Sequence, residues 1–121
     1  MATVSRLASN CSHDAPQIVC KNLAKERDFE LDEGTTKTDN IRSIVDDEEI
    51  NMVIEVMGGT DDAREVTLAA LRAGKHVVSA NKALLAQHLA EIEGVLSENP
   101  ACRMGFEAAV AGGIPVIRSL Q

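Results

Sequence analysis

Three short apolar runs, Met52 to Val56, His76 to Ala80 and Cys102 to Val110, each give way to a glycine-rich or small-residue loop that opens a helix-forming segment. Strands separated by whole helical segments cannot pair as tight hairpins. They pack as parallel neighbours joined by helical crossovers, which predicts a doubly wound parallel sheet of the α/β class. Sheets of this kind take ligands just outside the carboxyl ends of their strands. In this chain those positions are Lys21-Asn22, Met57 to Thr60, Ala80 to Lys82 and Ala109 to Ile114.

The local signals fill in the order. Residues 1–15 mix Ser, Asn, His and small apolar side chains without period and are expected to form an irregular tail, with residues 16–121 making up one domain. Gln17 to Lys21 has the β-branched pair of a short buried strand, and the charged stretch from Asn22 to Glu33 reads as a solvated loop closed by Gly34. Thr38 or Asp39 can cap a short helix through Ile41, Ile44 and Val45. A helix over Asp62 to Ala73 follows the Gly58-Gly59 break, with Thr60 near its start, a small-residue face for close packing and Gly74 as its stop. Asn81 caps a longer helix through Leu84, Leu89, Ile92 and Leu96, which Asn99-Pro100 ends. Pro115 opens a closing helix after Gly112-Gly113.

Charge and composition exclude several classes. With 12 Lys+Arg against 19 Asp+Glu the net charge is -7, which repels nucleic-acid backbones and anionic lipid. There is no Trp or Tyr and only Phe29 and Phe106, so stacking platforms for bases are absent. No apolar run approaches the ~20 residues of a membrane span, and no secretory leader is recognisable, so a soluble cytoplasmic protein is expected. Cys11, Cys20 and Cys102 lack CxxC spacing and are expected to be free thiols.

VIEVMGG at Val53 to Gly59, AGKHVVSANKALLA at Ala73 to Ala86 and FEAAVAGGIPVIRSL at Phe106 to Leu120 resemble the nucleotide-binding half of homoserine dehydrogenase, and NLAKERDF at Asn22 to Phe29 is a fainter match. The resemblance implies NAD(P)-dependent interconversion of L-homoserine and L-aspartate 4-semialdehyde, on the route to threonine, isoleucine and methionine. It implies that Lys82 contacts the cofactor with Asn81 nearby, at an edge completed by Gly58, Gly59 and Thr60. It also implies a monovalent cation, sodium, held by the Glu107 carboxylate and the backbone carbonyls of Val110, Gly112 and Ile114. Oxygen-only ligands with one carboxylate suit a hard ion of low charge. Lys21 falls where an adenosine ribose or its 2′-phosphate would lie, which favours NADP over NAD. The family's habit of dimerisation is a further implication, as is its small-molecule substrate.

The chain departs from the family's pattern in one respect. Such sheets open with a strand running into GxGxxG, whose glycines admit the pyrophosphate to a helix N-terminus. Here no glycine precedes Gly34, and Thr3 to Leu7 could imitate only the strand. The expected consequence is an incomplete Rossmann-like sheet that is weakly stable, oligomeric or closed by a non-native pairing. Catalytic residues are expected beyond Gln121, so turnover is not expected from these residues alone. Three readings remain open: a piece of homoserine dehydrogenase, a non-catalytic module that pairs with a full-length subunit, or part of another semialdehyde or reductase-type dehydrogenase built on the same sheet.

Overall fold

The computed structural model describes residues 2–5, 17–19, 34–112, 114 and 116–120. Its elements run β1 (Ala2–Ser5), β2 (Gln17–Val19), β3 (Thr36–Thr38), α1 (Arg42–Val45), β4 (Met52–Glu55), α2 (Asp61–Arg72), β5 (His76–Ser79), α3 (Lys82–Glu98), β6 (Met104–Gly105), a 3-10 turn (Glu107–Ala109) and α4 (Val116–Leu120). The strands form one six-stranded sheet in the order β3-β2-β1-β4-β5-β6. That is the strand order of a doubly wound nucleotide-binding sheet. The pairs β2-β3, β4-β5 and β5-β6 are parallel, as expected from the crossovers.

The central strand is the exception. Instead of an irregular tail, Ala2–Ser5 inserts between β2 and β4 and runs antiparallel to both. A strand in either direction satisfies the inner N–H and C=O groups of β2 and β4, which would otherwise be exposed edges. Direction decides where the ends lie. Ala2 pairs with Glu55 and Ser5 with Met52, so the chain leaves β1 beside the amino end of β4. Ser5, the carboxyl end of β1, therefore lies at the opposite end of the sheet from the loops that follow β4 and β5.

The helices follow their sequence signals closely. α2 ends in a Schellman arrangement: Gly74, at φ +81°, donates to Leu71 O at 3.1 Å and Lys75 N donates to Ala70 O at 3.0 Å. α3 begins where the Asn81 side chain accepts from Leu84 N at 3.1 Å, and it ends at Asn99. α2 packs on β4 and β5, and α3 packs along α2. Their contact closes a core of Ile44, Ile50, Val53, Leu71, Val77, Leu84, Ile92 and Val95, together with Ala63, Ala70 and the free Cys102 thiol. Cys11 and Cys20 lie outside the described residues.

Three expectations need correction. α1 has Ile41 at its N-cap with no side-chain cap bond; Asn40 Oδ1 accepts from Arg42 N at 3.0 Å, and Thr38 Oγ1 serves Asn40 N one step earlier. Neither Thr38 nor Asp39 caps the helix itself. Thr36–Thr38, for which no strand is expected and whose Thr38 is a cap candidate, is an edge strand, and its Thr residues are at home there. The long strand expected over Cys102 to Val110 contracts to Met104–Gly105, because Glu107-Ala108-Ala109 has helical preference and closes a turn with Ala109 N on Phe106 O at 3.0 Å.

Candidate functional site

Two loops meet at the carboxyl ends of β4 and β5. The first, Met57 to Thr60, turns through Gly59 at φ +83°, where an L side chain would be strained, and neither Gly58 nor Gly59 has a neighbouring atom in the space a Cβ would take. The second, Ala80-Asn81, leads directly into α3. Asn81 joins them: its Nδ2 donates to Met57 O at 3.2 Å and to Gly59 O at 2.7 Å, while its Oδ1 caps α3. Every polar position of the amide is engaged, and the residue is 8% exposed. Asn81 therefore shapes the edge through its side chain, with both amide atoms already engaged.

Beneath the loops lies a buried polar pair absent from the sequence expectations. The inward positions of β4 and β5 are occupied first by Val53 and Val77, which stand opposite each other, and then by Glu55 and Ser79. Glu55 and Ser79 are both 0% exposed. Glu55 Oε1 accepts from Met57 N at 2.7 Å and Oε2 from Ser79 Oγ at 2.5 Å; Ser79 Oγ in turn accepts from Asn81 N at 3.1 Å. A buried carboxylate is tolerated because both oxygens have donors. The signal for this pair was an acid in an otherwise apolar strand, matched in register by a hydroxyl on the next strand.

Electrostatics distinguish the two helix starts. α2 opens with Asp61 and Asp62, which repel an anion from its N-terminus, whereas α3 has no acid in its first turn and begins at exposed Lys82. A lysine at the positive end of a helix gains nothing from the helix dipole. Lys82 makes no ion pair or side-chain hydrogen bond among the described residues, so its ammonium is available to an anion. Thr60 is the N-cap residue of α2 without a side-chain cap bond, and its carbonyl receives Arg64 N at 2.8 Å.

The remaining candidates are more scattered. Lys21 lies outside the described residues. Glu107 is half-buried, and its Oε1 accepts from Ile117 N at 3.1 Å, which ties the 3-10 turn to α4. Between them, Ala111 and Gly112 both take positive φ, at 55° and 61°, and Ile114 O accepts from Val116 N at 2.8 Å. Among the described residues no three His, Cys, Asp or Glu side chains cluster as metal ligands, and no helix is long and apolar enough to cross a membrane.

The strand order and the paired loops at the strand ends define a Rossmann-like nucleotide-binding domain. Residues 2–103 match the NAD-binding domain of homoserine dehydrogenase, and the chain belongs to that family. It is 38% identical over 111 residues to the homoserine dehydrogenase of Bacillus subtilis, covering 92% of this chain and 25% of that protein. The crystal structure of a homoserine dehydrogenase from Thiobacillus denitrificans superposes with a TM-score of 0.74 at 39% identity, over 86% of this chain and 23% of that one. A hyperthermophilic archaeal homoserine dehydrogenase in complex with NADPH superposes at 0.59 and 29% identity, over 68% of this chain and 25% of that chain. The chain thus spans about a quarter of the length of the relatives it matches.

Proposed function

We propose that this chain forms the nicotinamide-dinucleotide edge of a homoserine dehydrogenase, the enzyme that interconverts L-homoserine and L-aspartate 4-semialdehyde in threonine, isoleucine and methionine biosynthesis. The observation that carries the reading is the open Gly58-Gly59 turn held against the start of α3, with Lys82 exposed beside it and without an ion pair among the described residues. The nicotinamide, when bound, supplies or accepts the hydride. This chain's part is to bind and orient. The glycines let the dinucleotide approach backbone, Lys82 offers a cation to its ribose or phosphate oxygens, and Asn81 fixes the separation of the two loops. NADP is the form we favour, since a relative is known in complex with NADPH and Lys21 adds a cation near the expected ribose.

A sodium ion fits the Glu107 turn chemically. One carboxylate oxygen is taken by Ile117 N, which leaves the other, with the carbonyls of Val110 and Gly112 and the second lone pair of Ile114 O, whose first takes Val116 N, as a hard-oxygen donor set. The same reading puts the chain in the cytoplasm, as part of a dimeric enzyme acting on a small molecule. A second reading, in which the chain docks on a full-length subunit without catalysis, draws on Ile114 and Leu120, apolar yet 67% and 82% exposed.

The test is a thermal melt with and without NADPH. A ligand that binds only the folded chain stabilises it, by about 2.7 kcal/mol at a hundredfold excess over Kd. Wild type is expected to melt higher with NADPH. Lys82→Ala is expected to keep the ligand-free melting temperature and to lose most of the NADPH-dependent rise. A wild type indifferent to NADPH overturns the reading, and co-elution of such a chain with full-length enzyme would support docking instead.

A further inference from the structure

Glu55 has no direct place in that edge, yet the hydrogen bonds of both loops start from it. Its two oxygens hold Met57 N and Ser79 Oγ. Because the single Ser79 hydroxyl proton goes to Glu55, the Ser79 oxygen is left as an acceptor, and it takes Asn81 N. Asn81 then gives both amide protons to Met57 O and Gly59 O. The bonds form a closed ring from Met57 N through Glu55, Ser79 and Asn81 back to Met57 O, with a branch to Gly59. The direction of each donor is fixed by the one before it.

An apolar residue at position 55 would fill the same inward site beside Val53 without desolvating an acid, so packing does not require a carboxylate there. What a carboxylate supplies there is a separate acceptor oxygen for each loop, with no donor of its own to satisfy. We propose that Glu55 is the positioning residue of the dinucleotide edge, setting, through Ser79 and Asn81, the gap between the Gly58-Gly59 turn and Lys82 into which the cofactor fits. This rests on the dinucleotide-binding reading above. It adds a fully buried residue that never touches the cofactor but governs how tightly the cofactor is held.

The experiment uses the full chain and NADPH as probe. With no Trp or Tyr present, nicotinamide emission is read without protein fluorescence. Ser79→Ala breaks the ring at its middle while leaving a small residue in β5; Ser79→Thr restores the hydroxyl with a β-branched side chain suited to a strand. At a temperature where every variant is folded, Ser79→Ala is expected to weaken NADPH binding about tenfold and Ser79→Thr to recover most of it. Amide exchange is expected to quicken in Ser79→Ala at Asn81 and also at Met57, whose own acceptor, Glu55, is still present.

Equal NADPH affinity in wild type and Ser79→Ala, or exchange that quickens at Asn81 alone, overturns the positioning role while leaving the dinucleotide reading intact. A wild type that binds no NADPH overturns both. Where Ser79→Ala gives no cooperative melt, Asn81→Asp carries the same test. It keeps an oxygen to cap Leu84 N but withdraws both donors from Met57 O and Gly59 O, and undiminished NADPH affinity in it overturns the proposal.

Discussion

On one side of the central strand, β4, β5 and β6 run parallel, and the stretch from Asn40 to Gly105 supplies their crossovers, their core and both loops of the candidate site. On the other side, β2 and β3 are three residues each, Gln17–Val19 and Thr36–Thr38, and they join the sheet through the antiparallel β1. Ile18 is buried at 7% exposure but stands outside the main cluster, all of whose members fall between Ile44 and Cys102. This fold is stabilised where contacts are contiguous in sequence. It also locates the weak point of the site. Because β1 runs antiparallel to β4, the loops after β4 and β5 meet Ala2, the amino end of β1, where a parallel strand would present its carboxyl end.

The largest effect expected from this contrast is in the core. Leu71, 0% exposed between α2 and the sheet, should cost ~2–5 kcal/mol when cut to Ala, through lost burial and the cavity left behind. Ile18→Ala, on the far side of β1, should cost only about 1–2 kcal/mol. Urea denaturation of the two variants measures both. An Ile18→Ala loss equal to that of Leu71→Ala would mean that the two sides form one cooperative core, and the comparison would break.

How much of this was readable from sequence follows the same division. α2, α3, the Asn81 cap and the Gly74 stop could be read because each is fixed by residues within a few positions of itself. Thr36–Thr38 could not: it is short, largely exposed and carries no apolar alternation, and only pairing with β2 makes it a strand. The direction of β1 is likewise set by partners distant in sequence. In the candidate site, Asn81, Lys82 and the Gly58-Gly59 turn stood out as motif residues. Glu55 and Ser79 did not, because their pairing spans 24 positions and exists only once β4 and β5 are in register. The Asn81 amide builds the loops and is left with no free polar atom, which its place in the motif does not reveal.

The seam between the two sides sharpens the comparison further. Asp47, after α1, accepts Gln17 Nε2 of β2 on its carboxylate at 2.9 Å, and its backbone carbonyl accepts Lys75 Nζ at 2.6 Å. Lys75 also donates to Ile50 O at 2.7 Å and is 4% exposed. Burial holds its ammonium below the usual 10.5, with Asp47, Asp46 and Glu48 opposing in part. Lys75→Met leaves two carbonyls without their donor and should cost ~1–2 kcal/mol near neutral pH. The pH dependence has a definite sign. Between the lowered folded value and 10.5 the unfolded chain holds more protons than the folded one, so wild-type stability should rise with pH across that window relative to Lys75→Met. Denaturation curves stepped through the window measure the difference. A relative fall would mean that the folded state favours the charged amine.

The smallest effect is expected at the most conspicuous ion pair. Arg64 on α2 grips Glu91 on α3 with two nitrogens, Nε reaching Oε2 at 2.6 Å, and His88 stands 3.8 Å from the same oxygen. The hydrogen bond from Arg64 is the main cause that lowers the Glu91 carboxyl below its ordinary 4.5, so any stability from the pair is present above that value and is lost as pH falls through the lowered one. Both side chains are substantially exposed, at 43% and 35%, where water and salt screen the attraction and ordering two long side chains offsets much of it. Arg64→Met should therefore shift the melting temperature less than either core or seam variant, and the shift should disappear at high salt. The α2–α3 contact would then rest on Leu71, Leu84, Ile92 and their neighbours. A shift that persisted in salt would instead give the pair a share in holding the two crossover helices together, and the side of β4 to β6 would owe less of its advantage to its contiguous apolar core.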